Sequence, residues 1–337
     1  MGVNFFFVLS GFLITILLLH EEQVEGKIHL LFFYCRRVLR IWPLYYLTLF
    51  IGFVLYPFLS GLTGNQISET ASPLSYIFFL GNFNILSTGP PHSGSLRVLW
   101  SVAVEEQFYL LWPLLLIAIK RNRLWLFLAV IIASLIFRAH YVDDDGILVY
   151  HPLSLAGDFA TGGLLAWVCL RHYDPGSVAI RHYKTAVTFL YLLLSIVLFF
   201  NDRIFIYPAL IVMQRLILDI LFALVIFDQV YVRRPLFRLS DNVWFTRWGK
   251  TSYGLYCFHV PALAATLKIL SMIFPVASHA PSGALLIPVI GFSLCLVMTW
   301  LSFRFFESPF LALKKRFVTA GGGQRKIPPE NRGEQNN

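Results

Sequence analysis

Long apolar runs separated by short polar connections dominate the chain. Nine of these runs are about as long as a helix that crosses a bilayer, given the rise of about 1.5 Å per helical residue. We predict spans over residues 3–19, 41–59, 98–119, 124–139, 152–170, 185–200, 205–227, 252–273 and 284–303. A shorter apolar run at 74–80 is typical of a re-entrant or interfacial piece. The pattern therefore predicts an all-α, polytopic transmembrane helix bundle.

The composition supports this fold class. The 337 residues are 57% hydrophobic and 13% charged, whereas a soluble domain carries about 25% charged residues. The net charge of +9 follows from 27 basic and 18 acidic side chains. Of the 27, 22 lie in the alternate connections 20–40, 120–123, 171–184, 228–250 and 304–337, and only 3 in the intervening ones. This bias indicates an N-terminus outside and a C-terminus in the cytoplasm, not a nucleic-acid partner.

Neither metal nor redox chemistry is indicated. The four cysteines stand singly in or beside apolar runs and form no CxxC pair. The histidines and aspartates of the connection 140–151 have the spacing of no known metal site, which favours a solvated loop. We divide the chain into a transmembrane domain, 1–317, and a flexible, disordered cytoplasmic tail, 318–337, which contains three consecutive glycines and two prolines.

The segment 99–113 carries two acids inside a predicted span, Glu105 and Glu106. A carboxylate at that depth costs a few kcal/mol and usually has a function. The alternative is a glutamate that hydrogen-bonds a neighbouring helix. One helix face would carry a polar and aromatic stripe of Ser101, Glu105, Tyr109 and Trp112. We predict that this stripe faces a cavity and that Glu106, about 100° away, pairs with a structural arginine.

Three arginines precede the second predicted span. On a helix, Arg36, Arg37 and Arg40 lie within about 100° of arc. Three guanidinium groups on one face suit phosphate groups, which they can bind in bidentate geometry. The alternative is a set of positive-inside anchors that reach lipid headgroups.

Five sequence blocks, in order, closely resemble the membrane acyltransferase-3 family. They are 2–15 (GVNFFFVLSGFLIT), 33–43 (FYCRRVLRIWP), 99–113 (LWSVAVEEQFYLLWP), 249–256 (GKTSYGLY) running into His259 and Pro261, and 302–309 with Glu307. Together they cover nearly the whole chain, so the resemblance is specific to the family.

The resemblance implies an enzyme of the bacterial cytoplasmic membrane that takes an acyl group, usually acetyl, from cytoplasmic acyl-CoA. The acceptor would be a hydroxyl of a cell-surface glycan, a lipid-linked saccharide or a secondary metabolite. The implied partners are acyl-CoA, this acceptor and membrane lipid, with no bound cofactor. Because coenzyme A carries several phosphates, the resemblance favours donor binding by Arg36, Arg37 and Arg40.

Transfer to an alcohol needs a base or a covalent carrier. Family members usually have a further leading helix with an arginine and a histidine, and that histidine is thought to move the proton. We expect this chain to lack the helix, so that either its start lies upstream or it is an inactive, truncated member. Within the chain, the catalytic candidates are Glu105 and His259, although His259 could simply hydrogen-bond a neighbouring helix. Supporting contacts are expected from Ser101, Gln107, Tyr109, Tyr253 and Asp158.

Asp158 matches a family aspartate, but the arginine usual two positions earlier is Ala156 here. Arg215 and Asp219 are four residues apart inside a span and are predicted to pair. The alternative functions are a secondary transporter that uses Glu105, Arg215 and Asp219 as a coupling relay, and a non-catalytic family member.

Overall fold

Helices form nearly all of the computed structural model, which describes residues 2–62, 69–180, 182–233, 235–273 and 283–317. The predicted tail 318–337 lies outside the described residues. No β-strand occurs in these ranges, where one isolated bridge pairs Val178 with Val232. The α-helices are α1 Gly2–Glu25, α2 Leu30–Phe50, α3 Tyr56–Leu62, α4 Pro73–Ile77, α5 Gly81–Thr88, α6 Gly94–Arg97, α7 Trp100–Ala118, α8 Arg123–His140, α9 Asp145–Tyr150, α10 Pro152–His172, α11 Tyr183–Phe199, α12 Asn201–Ile204, α13 Pro208–Tyr231, α14 Val243–Lys250, α15 Ser252–Ile273, α16 Gly283–Ser302 and α17 Ser308–Leu313.

The predicted transmembrane bundle is confirmed. Eight helical segments of the described chain are long and apolar enough to cross a membrane. The predicted span 185–200 corresponds to α11, an apolar helix of 17 residues, which is shorter than these eight. Two π-helical turns, Ile51–Leu55 and Phe303–Glu307, join α2 to α3 and α16 to α17. A 3₁₀ turn, Lys314–Phe317, follows α17.

The apolar run 74–80 lies at the start of a row of three short helices, α4 to α6. The next membrane-crossing segment begins at Gly94, so it includes α6 but neither α4 nor α5. Ser72 caps α4 and Pro73 starts it, as proline in the first turn favours. Two hydrogen bonds join the row to the longer helices. In the first, Tyr45 on α2 donates to the Tyr76 carbonyl at 2.6 Å. Gln107 on α7 donates to the Phe79 carbonyl at 2.7 Å.

Helix α1 lies at the centre of the bundle, against α10, α13 and α7. Its approach to α10 is close because two glycines face the contact. A Cβ on Gly11 would lie 2.1 Å from the Phe159 carbonyl oxygen, and one on Gly162 would lie 1.9 Å from the Val8 carbonyl oxygen. Small residues at such contacts let membrane helices pack backbone to backbone. Helix α7 packs against both members of this tight α1–α10 pair.

Candidate active site

Glu105 of α7 is 3% exposed and points at α1. Ser10 donates a hydrogen bond of 2.6 Å to its Oε1, and Tyr109, one turn further along α7, donates to the same oxygen. No described residue donates to Oε2. The described hydrogen bonds thus fix the carboxylate through one oxygen, Oε1.

The predicted stripe on α7 is buried and contacts the neighbouring helices α1 and α15. Trp112 donates from Nε1 to Thr15 on α1 at 2.8 Å. Ser101, one turn before Glu105, is hydrogen-bonded to the Tyr256 hydroxyl of α15. The helical spacing correctly placed Ser101, Glu105, Tyr109 and Trp112 in the interior, where all four are buried. Side chains of α1 and α15 contact the stripe, and the cavity along it stays a prediction.

Arg37 of α2 connects the arginine group to this carboxylate. Its guanidinium carbon lies 5.2 Å from the ring centre of Tyr109 and 5.6 Å from that of Phe33. Cations are attracted to aromatic faces at such distances. The Arg37 Nε is inaccessible and has no hydrogen-bond partner among the described residues. One tyrosine therefore contacts both a guanidinium and the buried carboxylate Glu105.

The other two arginines differ in how they are held. Arg36 donates to Glu21 at 3.1 Å and to the Phe317 carbonyl at 2.8 Å. Arg40 has no hydrogen-bond or ion-pair partner within the described ranges. The structure therefore keeps all three on α2 but gives a carboxylate partner only to Arg36.

The chain connections around the arginines meet at one end of the bundle. Glu22, near the end of α1, pairs with Lys120 at 2.9 Å, in the turn after α7, and with Arg123 at 2.7 Å, the first residue of α8. Glu21, beside it, pairs with Arg36. Two of the basic connections counted in the sequence, 20–40 and 120–123, thus lie on the same side of the fold.

Glu106 does not pair with an arginine, contrary to the prediction. Its Oε2 accepts a hydrogen bond of 3.0 Å from the Trp42 indole of α2, and its Oε1 is buried without a partner among the described residues. The rotation of about 100° from Glu105 turns Glu106 towards the aromatic part of α2, beyond the arginines.

The remaining predicted site residues are spread around this core. Tyr253 donates to the Ile41 carbonyl of α2 at 3.2 Å. Gln107 also donates to Asn82 at 2.9 Å, on the side of the short helices. His259 is exposed, and its Nδ1 lies 2.6 Å from the Tyr256 carbonyl of its own helix. The structure thus brings Ser101, Tyr109 and Tyr253 to the α2–α7–α15 contact and places His259 on the outer surface of the bundle.

Asp158 belongs to a second polar cluster. It forms a two-pronged ion pair with Arg215, with an Nε–Oδ1 distance of 3.0 Å. The predicted partner of Arg215, Asp219, instead has a buried Oδ1 without a hydrogen-bond partner among the described residues. The correct pairing needs the packing of α10 on α13, because spacing within α13 alone offers only Asp219.

Arg138 of α8 completes this second cluster. It donates to four oxygens, those of Ser154, Leu148, Ile211 and Val212, at 2.9 to 3.4 Å. No described hydrogen bond or ion pair joins the cluster to Glu105. The transporter relay would require such a link between Glu105, Arg215 and Asp219.

One group of possible metal ligands occurs in the described part of the chain. Glu21, Glu25 and His29 present their ligand atoms within 4.8 Å of one another. His29 Nδ1 lies 3.0 Å from each of the two carboxylates. Because Glu21 also pairs with Arg36, ion pairs account for this arrangement and we assign no metal to it.

Sequence reasoning missed Ser10, Glu21 and Trp42, which contact the predicted acids and arginines. Ser10 stands inside the first block that resembles the family, 2–15, but an isolated serine in an apolar helix does not indicate its partner. Its role becomes visible only when α1 is packed against α7.

A family model and several curated relatives match most of the chain. Residues 1–305 match the acyltransferase domain family, Acyl_transf_3. The peptidoglycan O-acetyltransferase OatA of Listeria monocytogenes is 26% identical over 328 residues, covering 91% of this chain and 50% of that protein. A putative O-acetyltransferase of Staphylococcus aureus is 27% identical, covering 92% of this chain and 52% of the relative.

A putative peptidoglycan O-acetyltransferase of Bacillus subtilis, YrhL, is 27% identical, covering 91% of this chain and 50% of its own length. The chain therefore spans about half the length of the curated relatives it matches. No solved structure matches it. Because the family match extends over most of the chain, the chain belongs to the Acyl_transf_3 acyltransferase family.

Proposed function

We propose that the chain is a membrane O-acyltransferase that moves an acyl group, most simply acetyl, from cytoplasmic acyl-CoA to a hydroxyl of a cell-surface glycan. Family membership supports the reaction class. The names of the Listeria and Bacillus relatives favour peptidoglycan as the glycan. The basic connections favour a cytoplasmic position for the arginine end of the bundle.

The contact of Arg37 with Tyr109, whose hydroxyl donates to Glu105, is the observation that carries this proposal. The Tyr109 side chain alone separates the Arg37 guanidinium, which suits a phosphate, from the Glu105 carboxylate, which can accept a proton. A donor that is anionic at one end and reactive at the other fits such a pair. Acyl-CoA has this form, and its flexible pantetheine arm must fold back towards the phosphates for the thioester to reach Glu105 while Arg37 holds a phosphate.

In the proposed reaction, the acceptor hydroxyl attacks the thioester carbonyl and forms the new ester C–O bond. The C–S bond breaks, and the coenzyme leaves as a thiolate. Glu105, through Oε2, accepts the hydroxyl proton, which finally resides on the thiol of free coenzyme A. Ser10 and Tyr109 position the carboxylate by holding Oε1. His259 stays a predicted proton-transfer residue, and its described hydrogen bond is to the Tyr256 carbonyl of its own helix.

Binding of acetyl-CoA to the detergent-purified chain tests the donor assignment. We expect the double variant Arg37→Gln/Arg40→Gln to raise the Kd at least about a hundredfold, since each charge-assisted contact contributes about 1.5–3 kcal/mol. Lys120→Gln is the matched control, because Lys120 is 65% exposed at the same end of the bundle and pairs with Glu22. Equal affinity of the double variant and the unchanged protein would contradict the assignment.

Transfer is tested with radiolabelled acetyl-CoA and membranes that contain the acceptor glycan. We expect alkali-labile label on the glycan, as an O-acyl ester requires, and a strong reduction in the double variant. Label retained on the glycan after alkali treatment would contradict transfer to a hydroxyl.

A further inference from the structure

The 3₁₀ turn after the last helix lies across the arginine-bearing part of α2. The Phe317 carbonyl accepts a hydrogen bond of 2.8 Å from Arg36. The Phe317 ring lies 6.1 Å, edge to face, from that of Phe32, one turn before Arg36. Together with the packing of α17 on α2, these contacts fix the turn Lys314–Phe317 over the arginines.

This turn, with the sequence KKRF, brings Lys314 to the arginines. Lys314 follows α17 directly and is half-buried. Among the described residues, the ion pairs give Arg36 a carboxylate partner, Glu21, and give none to Arg37, Arg40 or Lys314. Carboxylates also act on Arg37 and Arg40 (those of Glu105, Glu106 and Glu307), but among the described residues none of them forms an ion pair with these arginines. Four cations with one ion-paired carboxylate repel one another in the absence of an anion. Such a surplus is the electrostatic requirement of a polyphosphate site.

We infer that Lys314 binds a phosphate of the acyl-CoA donor, an inference that rests on the proposed function. The turn Lys314–Phe317 then forms one wall of the donor site, together with Arg36, Arg37 and Arg40. The turn after α17 and the arginine-bearing part of α2 would thus bind one ligand jointly. Neither the arginine spacing nor the block 302–309 assigned this role to Lys314.

The protonation of Lys314 offers a readout that a purely structural role would not give. Burial, and then the charges of Arg37, Arg40 and Arg36, lower the pKa of Lys314 to about 8. The helix α17, which also packs on the turn, carries no charged residue. A bound phosphate favours the charged lysine, so binding weakens as the pH rises through and above this pKa. The arginines stay charged over the same range.

The test measures the Kd of acetyl-CoA between pH 7 and pH 9.5 at constant ionic strength. For the unchanged chain we expect affinity to fall roughly tenfold across this range, which is the loss of one charge-assisted contact. Lys314→Gln should bind roughly tenfold more weakly at pH 7 and show little change with pH. Lys314→Arg should bind well at pH 7 and keep that affinity at pH 9.5, because arginine does not lose its proton.

Lys120→Gln is the control and should follow the unchanged chain at every pH. If Arg37→Gln/Arg40→Gln weakens binding while Lys314→Gln and Lys314→Arg both follow the unchanged chain, the role of Lys314 is refuted and the donor site stands. If the arginine variant binds acetyl-CoA as well as the unchanged chain, the proposed function itself fails. If Lys314→Arg folds and binds acetyl-CoA well at pH 7, the weaker binding of Lys314→Gln comes from its missing charge and not from a disturbed fold.

Discussion

Two buried clusters of charged side chains differ in how completely they are satisfied. In the cluster of α8, α10 and α13, Arg215 meets Asp158 with both prongs, and Arg138 donates to four oxygens. In the cluster of α1, α2 and α7, Arg37 and Glu106 each keep a buried polar atom without a partner among the described residues. Glu105 uses only one of its two oxygens.

The difference shows which cluster is suited to binding. A buried ion pair with full hydrogen bonding has little left to offer a ligand, and removing one partner mainly destabilises the fold. Unpaired buried groups cost free energy, and a native fold retains them most readily where a ligand completes them. Because both clusters contain intramembrane charges, charge alone could not have separated them. Asp219, beside the second cluster, is an exception, because its Oδ1 also has no hydrogen-bond partner among the described residues.

Replacing Glu105 with glutamine gives the largest expected effect. The change keeps the size of the side chain and acceptance of a hydrogen bond, but it removes the base. We expect the rate of acetyl transfer to fall by about 10²–10⁴-fold, which is the usual contribution of a general base. Acetyl-CoA binding should change little, since the arginines hold the phosphates. Transfer rates and the Kd, measured on the same preparation, check this.

Asp228→Asn is the matched control for that variant. Asp228 is another buried carboxylate held by hydroxyls, those of Tyr183 at 2.6 Å and Tyr191 at 3.2 Å, but it lies between α11 and α13. Its replacement should leave transfer within a few-fold of the unchanged rate. Equal losses in the two variants would mean that Glu105 acts through the fold and not in the reaction.

The second cluster should respond in the opposite manner. We expect Arg215→Met to lower the free energy of unfolding by about 3–5 kcal/mol, because it leaves the 1% exposed Asp158 charged and unpaired. The double variant Arg215→Met/Asp158→Leu should recover most of that loss, as apolar replacement of a buried pair often does. Denaturant unfolding in detergent measures both.

The Kd of acetyl-CoA should remain unchanged in the double variant. Loss of donor binding in a stably folded Arg215→Met/Asp158→Leu protein would show that the two clusters act together. That result would favour the relay between Glu105, Arg215 and Asp219 that a transporter needs.

The helices were predictable because their hydrophobic length is a local property of the sequence. The burial of Glu105 and Tyr109 followed from spacing on one helix, and the structure confirms both positions. The resemblance of five sequence blocks identified the family, which the match over residues 1–305 confirms.

Contacts between helices far apart in the chain could not be derived in the same way. Ser10 meets Glu105 across 95 residues, and Arg215 meets Asp158 across 57, so their pairing depends on helix packing set by glycines such as Gly162. The prediction for Asp219 was wrong because it used the nearest charge on the same helix, and the prediction for Glu106 was wrong because its position on α7 does not show which side chain of α2 it contacts. The roles of Glu105, the three arginines and His259 stay predictions.

A structure of the chain with coenzyme A bound would test the central claim most directly. The quantity to measure is the position of the phosphates relative to Arg37 and Arg40, and of the sulfur relative to Glu105 Oε2. We expect the phosphates within hydrogen-bond distance of the guanidinium groups and the sulfur on the Glu105 side of Tyr109. Coenzyme A bound elsewhere, with its phosphates away from α2, would contradict the claim that the arginines and the buried carboxylate serve one reaction.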